Sequence, residues 1–208
     1  MIKRVMAAAL VAGTVLAGTG VADAAVGKIP KNFLLTEVEA RKPLPPEDMD
    51  EAWWTISDRL SRPLELNPCR TKRKRGDGRV SMRTITYLTS APHESAEQLV
   101  VHRNATYAHA AFRKLQADLK RCRLSDSEHR YGTRSVRVGS EAMLVGYQSL
   151  DKGRWVPHSG WRYIVARRGS ALFLYKAHVE TGKLGRPLTG PAKRMAVKVC
   201  RIRGVCGS

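Results

Sequence analysis

Cys69, Cys122, Cys200 and Cys206 are the four cysteines of this 208-residue chain, and what they can do depends on the compartment in which the chain folds. The first residues decide that. "MIKR" brings two positive charges, "VMAAALVAGTVLAGTG" is apolar and small, and "VADAA" sets Ala22 and Ala24 in the A-x-A arrangement of a cleavage site. Residues 1–24 therefore read as a cleaved secretory signal peptide; a membrane anchor would need a longer, greasier span with a stop-transfer flank. No cysteine precedes Cys69, so nothing near the cleavage point could carry a lipid, and the mature chain is expected to be secreted, extracellular and without a transmembrane anchor. The remaining 184 residues suit one domain that buries roughly 70% of its unfolded surface. In an oxidising compartment an even cysteine count means bridges.

Four cysteines admit three pairings. Cys200 and Cys206 stand six apart at the end of the last helical pattern, close enough for a local clip, while Cys69 and Cys122 each adjoin an ordered-looking segment; Cys69 with Cys122 and Cys200 with Cys206 is the expected set. On a chain-entropy estimate the long loop is worth roughly 4 kcal/mol and the short one about 2 kcal/mol. Within "HAAFRKLQADLKRCR", Cys122 shares an apolar helical sector with Ala108, Ala111, Phe112, Leu115 and Leu119, whereas Arg113, Lys114, Lys120 and Arg121 lie largely on the other side. A reactive thiol would want exposure among those cations, so Cys122 reads as structural. No CxxC pair supports a zinc site.

Residues 25–31 form a short linker, and 32–208 a single domain. In "NFLLTEVEA", Phe33, Leu34 and Leu35 should be buried and Thr36 can cap a short helix over Glu37 to Ala40. Pro43, Pro45 and Pro46 end it. "DEAWWTISDRL" predicts a further helix, with Trp53 and Ile56 on one side and Asp50 as its cap. "RTKRKRGDGR", residues 70–79, is the densest basic run and reads as a solvated loop unless it lies beside other basic groups. The period then becomes two. Strands are expected in "VSMRTITYLTS" and "EQLVVHR", a helix opened by Asn104 or Thr106 runs to about Arg123, and "LSDSEHRYGTRS" is loop. Strands at 141–150, 160–169 and 170–179 follow, the last two as a hairpin, and a final helix from Leu188 buries Ala192, Met195, Ala196 and Val199. This order predicts an α+β fold with an antiparallel or mixed sheet covered on one face by helices and carrying two disulfides.

Catalytic constellations are thin. The histidines are scattered, with no HExxH and no G-x-S-x-G. A secreted hydrolase or nuclease would have to combine His102 or His178 with Glu97 or Glu180, and spacing alone does not bring them together. Binding has better material: Tyr147, Trp155, Trp161 and Tyr163 interleave with Lys152, Arg154 and Arg162. Trp155, Trp161, Arg162 and Tyr163 are the candidate ligand-binding border, with Arg73, Lys74 and Arg75 adding peripheral attraction. The formal charge of the whole chain is +19; the leader carries Lys3, Arg4 and Asp23, so its loss leaves +18. Such a field draws anionic wall polymers, lipid headgroups or nucleic acid nonspecifically.

"NFLLTEVEA", "NPC", "ATYAHAAFRKLQADLKRC", "VGSEAMLVGYQ", "YIVARRGSALFLY" and "AVKVC" together resemble the extracellular sensor-like domain of PknH-type actinobacterial receptor kinases, across most of residues 32–206. The resemblance implies helices against a mixed or antiparallel sheet, two disulfides, and a cleft for a small ligand. It carries Cys69, Cys122, Cys200 and Cys206 across as structural residues and carries no catalytic residue. The chain departs from the receptor form in having no kinase and no membrane helix. The expectation is a noncatalytic, monomeric extracellular domain, without metal or cofactor, that binds a small-molecule or cell-wall ligand; the alternatives are a basic wall- or nucleic-acid-binding surface and a secreted hydrolase.

Overall fold

The computed structural model describes residues 26–43, 52–70, 72, 76–89, 94–122, 128–179 and 188–207. The leader, the proposed Asp50 cap, the Arg73–Arg75 run and Glu180 lie outside these residues. The elements are β1 (Ala52–Ser57), β2 (Arg79–Thr89), β3 (Glu94–His102), α1 (Ala105–Arg121), β4 (His129–Ser135), β5 (Glu141–Asp151), β6 (Arg154–Arg168), β7 (Ala171–Val179) and α2 (Thr189–Lys198). Every neighbouring strand pair is antiparallel, in the order β1-β2-β3-β7-β6-β5-β4. The fold is α+β with two disulfides, as expected.

The central strands are apolar on both sides. Leu99, Val101, Ile164, Ala166, Phe173 and Tyr175 face one layer, where Ala192 and Met195 of α2 and Val199 just after it meet them with Phe33 and Leu34. The alternate residues Val100, Val165, Leu172 and Leu174 face Phe112, Leu115 and Leu119 of α1, together with Leu66. The alternation of Cβ directions makes these two separate cores. The expected one-sided cover is therefore corrected: α1 and α2 lie on opposite faces. Near-continuous runs such as "LVV" and "ALFLY" are the sequence mark of strands buried on both sides.

Two edge strands replace expected helix and loop. In "AWWTIS" the i,i+3 pair Trp53 and Ile56 suggests a helix, yet Ala52 is buried, Trp54 and Ile56 join the α2-side core, and Trp53 is 47% exposed. The spacing fits either period over so few residues, and aromatic and β-branched content favours the strand that pairs with β2. "HRYGTRS" lacks an apolar face and becomes β4 through its pairing with β5. β6 begins at Arg154, earlier than expected; Pro157, which lacks an N–H, sits beside the register shift near Gly146 and Gln148.

A polar network straps the N-terminal segment onto the sheet. Glu97, 3% exposed, accepts hydrogen bonds from the Leu35 and Thr36 backbone N–H groups (2.9 Å each), the Thr36 hydroxyl (2.8 Å) and the Tyr175 hydroxyl (2.8 Å). Thr36 thus holds Glu97 rather than capping a helix, and the helical turn is a 3-10 segment at Glu39–Arg41. Fully buried Glu37 pairs with Arg83 and Arg41. Burial would raise its carboxyl, but the hydrogen bonds from Arg83, the Asn32 backbone and Arg41 reverse this and hold it at about 2.

The bridges act at different places. Cys69–Cys122 ties the loop after β1 to the C-terminal end of α1, with Cα atoms 5.1 Å apart. Cys200–Cys206 shapes the chain after α2, so that the Val205 carbonyl accepts from the Ser170 N–H at 2.8 Å in the β6–β7 turn. Gly169 has φ +55°, and a Cβ there would lie 1.8 Å from the Val205 oxygen; only glycine admits this approach.

Loss of the long crosslink in Cys122→Ser should lower unfolding free energy by about 2–5 kcal/mol in urea titrations, and Cys206→Ser by less. Acid should act through Glu37. With its folded titration near 2 and its ordinary value 4.5, its contribution is complete above pH 4.5 and lost as pH falls through 2, on the order of 3 kcal/mol. Glu37→Gln should flatten the urea midpoint between about pH 5 and pH 2.5 relative to wild type.

Candidate functional site: two cavities flanking α1

α1 begins where the Asn104 side chain accepts from the Tyr107 N–H at 3.1 Å, which satisfies one orphan donor of the first turn. Its stripe of Ala108, Phe112, Leu115 and Leu119 is buried, and its two flanks each wall a cavity. The first cavity, about 620 Å³, lies between α1 and the segment 63–67, joined by Lys72 and residues 76–79. Gln98, fully buried on β3, fixes that segment: it donates to Thr84 Oγ1 (2.9 Å) and the Pro63 carbonyl (3.3 Å) and accepts from the Glu65 N–H (3.1 Å). Gly78 has φ +77° and leaves room for the Tyr107 ring, which a Cβ would approach to 2.4 Å.

The lining of this cavity is amphipathic. Leu64, Leu66, Ala110, Ala111 and Leu115 supply apolar wall; Lys72, Arg79, Lys114 and Arg121 supply cations, against Asp77 and Asp118. Arg79 pairs with Asp77 at 2.9 Å, and Asp118 holds Lys114 and, at 2.7 Å, Arg121. Of the basic run after Cys69, Lys72 and Arg79 lie beside other basic groups, sharing this cavity with Lys114 and Arg121.

The second cavity, about 800 Å³, lies between the other flank of α1 and edge strand β4. Arg113 and Lys120 line it from α1, Arg130 and Arg134 from β4, with Tyr131 and Trp155. The Arg130 guanidinium lies 4.3 Å from the Trp155 ring centroid, a cation–π contact. A third, shallower cavity of about 310 Å³ lies along β4, β5 and β6.

The four residues singled out in sequence are dispersed. Trp155 lines the cavity beside β4; Arg162 lines the shallow one; Tyr163, 5% exposed, is part of the α1-side core. Trp161 packs at the border of that core, with Lys176 Nζ 4.2 Å from its centroid and His178 edge-on at 5.0 Å. Lys176 is paired with Glu94. The suggested pairs with Glu97 do not assemble: Glu97 is committed to the N-terminal strap on the α2 side, while His102 lines the first cavity and His178 packs on Trp161 on the α1 side; the pairs with Glu180 lie outside the described residues. Among the described residues no group of three or more His, Cys, Asp or Glu is placed to hold a metal ion, and no helix is long and apolar enough to cross a membrane.

Both flanks of α1 escape sequence reading, because cations spread through "AAFRKLQADLKR" reveal an amphipathic helix and not which neighbours face them. Arg130 and Arg134 were hidden in a segment read as loop.

Comparison with family models and with curated proteins finds no match. Among solved structures, the extracellular domain of PknH from Mycobacterium tuberculosis is similar in fold, at 16% sequence identity and a TM-score of 0.42, over 81% of this chain and 91% of that one. This likeness carries no residue role or ligand to this chain.

The buried phenols give a check on these placements. Burial first, then neighbouring phenols, push Tyr131 and Tyr163 well up; burial, then the Glu97 carboxylate, does the same for Tyr175. Stability from these groups is complete below about pH 10 and is lost as pH rises toward their folded values. Absorbance titration should show these three of the six tyrosines unionised at pH 11 until the protein unfolds.

Proposed function

We propose that this chain is a noncatalytic extracellular sensor-like binding domain, one unit released by cleavage after Ala24, whose ligand is a small anion with an apolar body. The observation that supports this reading is the 620 Å³ cavity between α1 and residues 63–67, 72 and 76–79: a size suited to a small molecule, an apolar wall, and four cations with two carboxylates. Apolar burial supplies affinity and the excess cationic charge orients an acidic group. None of Trp155, Trp161, Arg162 and Tyr163 lines this cavity, so the pocket proposed here stands in place of the border expected from sequence. The same cavity holds His102 without Glu97, which favours binding over hydrolysis.

Decanoate is a suitable first probe, with decanol as its neutral counterpart. At a concentration about a hundredfold over Kd a ligand adds about 2.7 kcal/mol, which for a domain of this size raises Tm by roughly 5–10 °C. Decanoate should stabilise the wild type more than decanol does, and Ala110→Trp, at an exposed position on the cavity wall, should remove the effect with both bridges intact. Equal stabilisation by both probes, or of the blocked variant, would count against this pocket. Amino-terminal sequencing of exported protein should begin at Ala25.

A further inference from the structure

The shallow 310 Å³ cavity along β4, β5 and β6 owes its floor to two glycines. The β4–β5 register sets Gly132 opposite Gly146, and the β5–β6 register sets Arg162 on the other side of Gly146. Leu144, two residues before Gly146 and on the same face, packs against the α2-side core, so this part of the sheet faces away from α1. Glycine inside a strand weakens it and marks a bulge, a tight bend or the close approach of a ligand or another backbone. Neither Gly132 nor Gly146 has a positive φ, so backbone conformation demands neither.

At Gly132 the close group is internal. A Cβ there would lie 2.5 Å from Cδ of Gln148, whose amide lies across the glycine and whose Oε1 accepts from Arg130 Nε at 2.8 Å. Gly146 has no such occupant. A Cβ would meet only Arg162 Cγ, at 3.7 Å, an ordinary contact. The register shift beside it would call for glycine only with a left-handed φ, which Gly146 does not have. Bare backbone therefore lies open between Leu144 and Gln148, which stand four residues apart on β5, about 13 Å. Pro157 joins Gln148 at one end of this slot, while Arg134 and Arg162 flank it from β4 and β6.

We infer that this slot is a second binding site, for an aromatic acid: a flat ring laid on the Gly146 backbone, its edges against Leu144 and Pro157, and its carboxylate taken by the guanidiniums of Arg134 and Arg162. The missing Cβ lets a plane come within van der Waals distance of the strand, an approach that a branched or puckered group uses less well. A guanidinium fork matches the two carboxylate oxygens, and Gln148 Nε2, which donates to no acceptor among the described residues, supplies a further donor beside them. The site is separate from the small-ligand cavity, since the sheet stands between them.

The test is isothermal calorimetry of the purified chain with 2-naphthoate, and with methyl 2-naphthoate as its uncharged counterpart. Wild type should bind the acid with a Kd of about 1 mM or tighter, as a ligand of this size does at ordinary efficiency, and the ester about tenfold more weakly. Gly146→Ala should weaken the acid about tenfold by raising the floor, with Tm equal or higher, because the extended backbone accepts a Cβ in ordinary contact. Arg134→Gln and Arg162→Gln, neither at a buried position, should each cost about tenfold and carry the test if Gly146→Ala fails to fold. Arg168→Gln, exposed and about 20 Å further along β6, should stay within about twofold of wild type. Ala110→Trp, which blocks the first cavity, should change nothing. The inference fails if no saturable binding of the acid appears, if the ester binds as tightly as the acid, if the arginine variants lose no more than Arg168→Gln, if folded Gly146→Ala binds like wild type, or if Ala110→Trp abolishes binding, which would put the ligand in the first cavity.

Discussion

The sheet's two-sided burial is the constraint on which the rest of the molecule depends. β3, β6 and β7 are apolar on both faces, so neither can be left to water, and one α-helix per face is not enough to cover a seven-stranded sheet. On the α2 side the missing cover is the chain around Phe33 and Leu34, which has little regular structure and whose backbone N–H groups need partners. Glu97 solves both problems at once. A buried carboxylate is costly unless fully hydrogen-bonded, and here the segment it anchors supplies three of its four donors. Removing the strap would expose apolar sheet and orphan the carboxylate together, which makes the cover cooperative with the core.

On the other face the corresponding cover is segment 63–69, and its anchor is neutral. Gln98 lies next to Glu97 in β3 and therefore points to the opposite side. Its amide reaches Pro63, Glu65 and Thr84, which sets the segment beside α1 without filling the space between them. Two adjacent polar residues in one strand thus place two different covers, one tight and one that leaves a cavity.

That organisation explains which parts were legible in the sequence. Long periodic segments survive: "ATYAHAAFRKLQADLKR" as a helix, "ALFLYKAHV" as a strand, and the cysteine pairing, because local pattern and tertiary role agree. β1 and β4 do not, because edge strands bury less and take their identity from the one strand they pair with rather than from an apolar pattern of their own. The cover on the second face is legible only in the uninterrupted apolar runs of the central strands, which mark a strand as readily as they mark its second buried side. The aromatic–basic interval held the right residue types and lost their geometry to strand alternation: Arg162 and Tyr163 are neighbours in sequence, and one lines a shallow cavity while the other is core.

The long bridge then links fold to function. It fastens the end of α1 to residue 69, next to the Pro63–Asn67 stretch that lines the opposite wall of the first cavity, so these two walls are tied to one another covalently. The ordering cost of these walls is thereby met during folding. The same bridge fixes α1 from its far end, while Asn104 fixes its start, so Arg113 and Lys120 on the outer flank are held by the helix rather than by their own contacts. β4, which supplies Arg130 and Arg134, is held by β5 alone among its strand neighbours. The cavity on the outer flank is therefore bounded by a helix anchored at both ends and by an edge strand paired on one side alone, whereas the cavity on the inner flank lies beside the bridge itself.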